Sequence, residues 1–196
     1  MKCLKSLITF CFLTIFVSCI SNEDNKPKED RLTSENASDT KNPETVVHNF
    51  LKWYKNNDVR LNSIPLIKGG APDTTTFYSV DFTQTEKYLS ELKKSGFLSD
   101  KYLNDLRTYF KSSNDSLKKY PQNDGPAYGF DFDFIMQSQD YMDIMENIDS
   151  LKILSKKISG NSATIIIDRL PKMKMAYGLS KQGNTWLIDT FGYKSD

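Results

Sequence analysis

Histidine and cysteine, the side chains most often used for metal binding and nucleophilic chemistry, are scarce in this chain of 196 residues. It has one histidine and three cysteines, and no cysteine follows Cys19. The rest of the chain therefore has neither a disulfide nor a reactive thiol, and its core alone must hold it together. His48 lies beside the apolar face of a predicted helix without a predictable partner, so we expect it to be a partly exposed surface residue.

The chain also lacks an apolar run long enough to span a membrane, which takes about 20 residues. Its longest run of mainly apolar residues, 7–17, follows two lysines, which is the pattern of a secretory signal. A serine and Cys19 come next and resemble the lipobox of bacterial lipoproteins, although Phe16 stands where that motif usually has an aliphatic residue. We expect a lipoprotein signal peptide over residues 1–18 and lipidation at Cys19. The alternative is a plain signal peptide cleaved nearby.

An excess of either charge is absent as well. The chain carries 26 basic and 25 acidic residues, and removal of residues 1–18 takes away two lysines and no acid, which leaves 24 basic residues. Nucleic-acid binding depends on a surplus of basic side chains, so this balance argues against it. We expect the membrane to be contacted through acyl chains on Cys19, since more than one such chain makes a stable anchor.

Residues 19–42 have too few apolar side chains to form a core, with only Leu32 and Ala37 between positions 21 and 42. Such a segment cannot offset the entropy lost on ordering, so the sequence predicts a disordered, lipid-anchored tether. Two acids directly after Ser21 and Asn22 resemble the surface-export signal of some outer-membrane lipoproteins, although tethers are commonly acidic. We expect a lipoprotein of the cell envelope and outer membrane, with surface exposure left open.

Residues 43–196 suit one domain of the α+β class. The sequence predicts three helices first: one from Pro43 to about position 55, one from near Gln84 to Gly96, and one that Ser99 caps. Alternating patterns then predict strands over residues 152–158, 163–168, 173–180 and 186–193. Short connections make these strands antiparallel neighbours, so we expect the N-terminal helices to pack on one face of the sheet.

Three aspartates, Asp131, Asp133 and Asp140, form the best candidate for a ligand or metal site, because carboxylates of this kind bind Ca²⁺. The segment does not fit the EF-hand loop, since Met136 stands where that loop has its glycine and Met142 where it has its glutamate. The alternative is that these carboxylates cap backbone amides. No cofactor is predicted.

Aromatic residues crowd the same part of the chain. The candidates for a recognition surface are Tyr128, Phe130, Phe132 and Phe134. Aromatic side chains are favoured anchors in binding interfaces. The alternative is that they close the core, because aromatic residues at alternate positions pack well against a sheet.

Motifs for nucleophilic catalysis and phosphate binding are missing. There is no Gly-x-Ser-x-Gly sequence, and Ile-Lys-Gly-Gly at 67–70 does not lie between a strand and a helix. The sequence therefore favours a non-enzymatic module that binds a small molecule or a protein. The alternative is a hydrolase or metal-dependent enzyme that uses the three aspartates in a cavity of the sheet. A structural part of the envelope is a third possibility.

Four short motifs carry a resemblance to domain of unknown function 3828, a family of exported bacterial proteins. Phe50 and Tyr54 match its early helix, and residues 133–140 match its Asp-Pro-Phe-Leu-x-Ala-Gln-Asp segment, with phenylalanine in place of proline. Residues 160–163 match its Gly-x-x-Ala, and residues 186–189 match its closing Trp-x-Ile-Asp.

This resemblance covers about residues 43–193. It implies a cystatin-like or nuclear-transport-factor-2-like fold, in which helices pack against a curved antiparallel sheet. The family has no established activity, so the resemblance implies a fold and no mechanism.

Overall fold

The computed structural model describes residues 40–139, 141–170 and 173–194, which belong to one compact unit. The predicted signal peptide, the lipidation position Cys19 and most of the predicted tether lie outside these residues. In the described part, no helix combines the length and the apolar character that a bilayer crossing requires. The elements in chain order are α1 (Pro43–Lys55), α2 (Asp58–Asn62), β1 (Ile67–Lys68), β2 (Ser79–Val80), α3 (Phe82–Lys93), α4 (Asp100–Lys119), α5 (Met142–Glu146), a 3₁₀ turn (Ile148–Ser150), β3 (Lys152–Ser159), β4 (Ser162–Leu170), β5 (Met173–Gln182) and β6 (Thr185–Lys194).

The three longer helices begin where the sequence places a capping side chain. The Asn42 side chain accepts a hydrogen bond from the amide of Glu44 at 3.2 Å, and Ser99 accepts one from Tyr102 at 3.2 Å. Helix α3 begins two residues earlier than the predicted start at Gln84, because Asp81 caps it at 3.0 and 3.1 Å. Each cap satisfies backbone amides that have no partner within the first helical turn. The three predicted helices are present in the structure and are therefore confirmed.

Two short helices are not among the elements predicted from the sequence. Helix α2 follows α1 almost directly, and its Leu61 is fully buried in the core. Helix α5 leads into the sheet through a 3₁₀ turn whose Ile148 is buried. Helices of one turn have too few residues to show a periodic pattern, and packing rather than sequence periodicity stabilises them.

Strands β3 to β6 form a four-stranded antiparallel sheet in chain order, so the α+β class and the predicted meander are confirmed. Ile165 pairs with Tyr177 across β4 and β5, and Tyr177 pairs with Phe191 across β5 and β6. Gly160 and Gly183 form the tips of two hairpins, each with a positive φ that a glycine adopts without strain.

Burial alternates along the central strands and not along β3. Met175, Tyr177 and Leu179 are buried on β5, whereas their neighbours are only half-buried. Every residue of β3 is exposed, and this strand lies at the edge of the sheet, where only β4 pairs with it. The core therefore lies over β4, β5 and β6.

The opposite edge of the sheet is covered. The backbone of β6 exchanges hydrogen bonds with the segment between α3 and α4: Ile188 donates to Phe97 at 2.8 Å, and Ser99 donates to Ile188 at 2.9 Å. Trp186 donates to the carbonyl of Thr40 at 2.9 Å, and Thr40 is buried. Residues 40–42, which the sequence assigns to the tether, therefore lie at the start of the folded domain.

An aromatic cluster joins the helices to the sheet. Phe191 of β6 contacts Phe50 of α1 with ring centroids 6.0 Å apart and stacks on Tyr102 of α4 at 4.8 Å. Tyr177 of β5 lies 5.4 Å from the same ring. Aromatic pairs at these separations add to the stability gained from burial.

Candidate functional site

A cavity lies between two walls of the domain: one is α2 with the loop after it, and the other is the loop that contains the predicted aspartates. Its volume is about 750 Å³. This is within the range of about 300–1,000 Å³ that is usual for small-molecule sites. The lining residues are Leu61, Asn62, Ile64, Pro65, Leu66, Ile67, Tyr88, Pro126, Phe130, Asp131, Phe132, Asp133, Phe134, Gln139 and Tyr141.

Asp133 holds the wall of this cavity together. Its carboxylate is buried, and Oδ1 accepts hydrogen bonds from the amides of Ile135 at 2.9 Å and Met136 at 2.6 Å. The backbone of Asp133 also accepts from Gln137 at 2.6 Å and donates to Ser138 at 3.1 Å, which closes a tight loop. Asp133 therefore has the capping role that the sequence analysis gives as the alternative to metal binding.

The other oxygen of the Asp133 carboxylate is occupied as well. Oδ2 accepts a short hydrogen bond from the hydroxyl of Tyr54 on α1 and a bond of 3.0 Å from Nδ2 of Asn62 on α2. Asn62 also donates to the hydroxyl of Tyr141 at 2.9 Å. A carboxylate that accepts four hydrogen bonds has little capacity left for a metal ion or a substrate proton.

The tyrosines around Asp133 stay protonated at neutral pH. Burial, followed by the negative charge of Asp133, raises the pKa of Tyr54 well above its usual value. The same two causes raise the pKa of Tyr141. Tyr54 is therefore a fixed donor to Asp133, and the network has one defined arrangement of donors and acceptors.

Of the other two predicted aspartates, Asp131 is described, and it forms no hydrogen bond with Tyr54, Asn62 or Asp133. Asp131 is exposed at the rim of the cavity, and its Oδ2 accepts from Nε2 of Gln139 at 3.1 Å. Asp140 lies outside the described residues. Within the described part of the chain, no three His, Cys, Asp or Glu side chains come close enough together to hold a metal ion.

The predicted recognition aromatics have two different environments. Phe130 and Phe134 are half-buried and contact Phe110 of α4 at ring distances of 5.9 and 5.3 Å. Phe132 is half-buried as well and lies 5.2 Å from Phe134. Tyr128 is 78% exposed. The three phenylalanines thus pack against the core and line the cavity at once, and Tyr128 alone projects from the surface.

Tyr88, like Asn62 and Tyr141, lines this cavity but is not among the functional residues predicted from the sequence. It lies on α3, is 1% exposed, and lines the cavity. Among the described residues, its hydroxyl has no hydrogen-bond partner. In the sequence, Tyr88 fits the apolar face of its helix, so only the folded structure separates it from an ordinary core tyrosine.

His48, by contrast, is half-buried on α1 near Lys52. Burial, followed by the charge of Lys52, lowers its pKa. It does not line the cavity between α2 and the aspartate loop.

Comparison of the chain with models of known protein families, with curated proteins and with solved structures gives no match in any of the three. The resemblance to domain of unknown function 3828 therefore stays a prediction. The function has to be argued from the cavity and its wall.

Proposed function

We propose that this chain is a non-enzymatic binding module, anchored to the cell envelope through Cys19, whose cavity binds a small molecule with a mainly apolar body. The proposal depends on one observation, the hydrogen bonding of the Asp133 carboxylate. The one buried carboxylate of the cavity wall is fully occupied by Tyr54, Asn62 and two backbone amides, so it shapes the cavity and is not available for chemistry.

The lining of the cavity supports the same function. Aliphatic side chains from Leu61 to Ile67 form one wall, and the phenylalanines of residues 130–134 form the other. Sites for small molecules are typically apolar, with a few polar groups that orient the ligand. Asn62, Tyr88 and Asp131 are the groups that could have this role.

We also propose the cystatin-like arrangement, with the helices on one face of a curved sheet. The contacts of Phe191 with Phe50 and Tyr102 support it, because they bring α1 and α4 to the same side chain of β6. Membrane attachment by a lipid, location at the outer membrane and display on the cell surface belong to the same proposal, and rest on the sequence around Cys19.

The alternatives, a protein-binding module and a hydrolase or metal-dependent enzyme, have weaker support. The enzyme would need free carboxylates around the cavity, whereas Asp133 is occupied and Asp131 is bonded to Gln139. A protein-binding surface would need exposed aromatic anchors, and Tyr128 is the one predicted aromatic with a mostly exposed ring.

The experiment is a binding titration of the full chain in lipid nanodiscs against a panel of small aromatic and aliphatic compounds, with empty nanodiscs as the blank. Leu66→Trp should abolish binding, because Leu66 lines the cavity and the larger ring fills it. Val59→Trp is the matched control, since Val59 is 81% exposed and does not line this cavity. Binding that survives Leu66→Trp, or no binding by any compound, would contradict the proposal.

A further inference from the structure

The ionisable groups of the cavity between α2 and the aspartate loop share one sign of charge. Asp131 and Asp133 are its acids, and among the described residues no lysine, arginine or histidine lines it. Tyr88 and Tyr141 stay neutral, because burial raises the pKa of both. Arg60, the one cation of α2, is held by Glu91 and Asn57. The cavity therefore has a negative potential.

The aromatic side chains of the cavity wall also favour a positively charged ligand. Phe130, Phe132 and Phe134 line the cavity together with Tyr88 and Tyr141. The face of an aromatic ring carries partial negative charge and attracts cations, most strongly where water is excluded. Carboxylates combined with several aromatic rings are a suitable surrounding for an ammonium group.

The hydroxyl of Tyr88 supplies an independent observation. It is buried and has no hydrogen-bond partner among the described residues, a state that costs free energy in a folded protein. Because this hydroxyl is neutral, its oxygen can accept a hydrogen bond from a ligand N–H. A ligand that donates there satisfies a group which the protein leaves unsatisfied.

We infer that the cavity selects organic cations, namely amines with a compact aromatic or apolar body, over neutral and anionic molecules of the same shape. This inference rests on the proposed binding function and adds the charge of the ligand to it. Asp131 at the rim attracts the ammonium group, the phenylalanines surround it, and Tyr88 accepts one of its hydrogens. Asp133 contributes its charge without a direct bond.

Three probes of nearly equal shape test the inference: phenethylamine, phenethyl alcohol and phenylacetate. They are titrated into the full chain in phosphatidylcholine nanodiscs, and saturation-transfer NMR measures the dissociation constant of each. The amine should bind about tenfold more tightly than the alcohol, and the acid more weakly than both, as expected for one charge beside a partly screened carboxylate. Equal binding of amine and alcohol, or tighter binding of the acid, would overturn the inference and leave the proposed function standing. If none of the three binds, the inference is wrong, and the proposed function is then decided by the titration with the wider panel.

Three variants locate the effect. Asp131→Asn keeps an acceptor for Gln139 and should weaken the amine about fivefold while the alcohol changes little. Asp115→Asn on α4 is the control, since it removes the same charge from an exposed residue that does not line the cavity. Tyr88→Phe should weaken the amine and the alcohol alike. An amine affinity that falls equally in both aspartate variants, or that is unchanged in Tyr88→Phe, would contradict the assignment.

Discussion

Removal of one hydroxyl group should have opposite effects at two buried tyrosines of this domain. Tyr54 donates to the carboxylate of Asp133, whereas the hydroxyl of Tyr88 has no partner among the described residues. Both side chains are buried to the same degree. The substitutions Tyr54→Phe and Tyr88→Phe therefore delete the same atom from similar surroundings and differ only in the hydrogen bond that is lost.

The magnitudes follow from what each hydroxyl does. A hydrogen bond to a charged group contributes about 1.5–3 kcal/mol, so Tyr54→Phe should lower the free energy of unfolding by about 2 kcal/mol. An unsatisfied buried polar group costs about 1–3 kcal/mol, so Tyr88→Phe should leave stability unchanged or raise it by about 1 kcal/mol. The two variants should then differ by about 2–3 kcal/mol.

Urea unfolding, followed by the fluorescence of Trp53 and Trp186, measures this difference. With a slope of about 2 kcal/mol per molar urea, the transition of Tyr54→Phe should lie about 1 M below that of the unchanged chain. Asp133→Asn completes a double-mutant cycle: Tyr54→Phe should lower the free energy of unfolding by less in the Asp133→Asn background than in the unchanged chain. Equal destabilisation by both tyrosine variants would refute the assigned roles of the two hydroxyls.

Two further predictions concern pH and backbone geometry. Burial raises the pKa of Tyr54, Tyr88 and Tyr102. Above about pH 10 the folded chain therefore keeps protons that the unfolded chain releases. Each of the three residues should lower the free energy of unfolding by about 1.4 kcal/mol for every pH unit above this value. Urea transitions measured between about pH 9 and 11 test this, and a flat profile would contradict it. In thermal unfolding, Gly70→Ala should destabilise the domain more than Gly160→Ala. Both glycines have a positive φ, which disfavours alanine equally at the two positions. An added Cβ at Gly70 would also lie 2.0 Å from the ring of Tyr78, whereas a Cβ at Gly160 would meet no other atom within 4 Å. Equal melting temperatures would show that the loop around Gly70 adjusts freely.

The elements that the sequence predicts well are those whose residues interact locally. The cap at Ser99 and the hairpin at Gly183 each depend on residues a few positions apart, so their patterns are visible in the sequence. The one-turn helix α2 is not visible, because Leu61 is held by the core rather than by its own helix. The exposed edge strand β3 was predicted from alternation, although its lack of burial follows only from its place in the sheet.

The candidate site could be predicted only in part, for a similar reason. Asp133 is identifiable as a candidate from its acidic neighbours, but its partners Tyr54 and Asn62 lie 79 and 71 residues earlier in the chain. Tyr54 in the sequence is one more member of an apolar helix face. No local pattern indicates that it meets a carboxylate, since the meeting depends on how α1 packs against a loop far away in the chain.

Asp133 and Asp131 have different roles in the cavity, and for this reason only a substitution of Asp131 can separate ligand binding from stability. Asp133 determines the shape of the cavity wall, so a substitution there changes stability and binding together and cannot separate them. Asp131 lies at the rim of the same cavity, is exposed, and accepts a hydrogen bond from the side chain of Gln139. Its charge can therefore be removed with little effect on the fold. A change in ligand preference in Asp131→Asn, without a change in melting temperature, would show that this cavity has a function beyond holding the domain together.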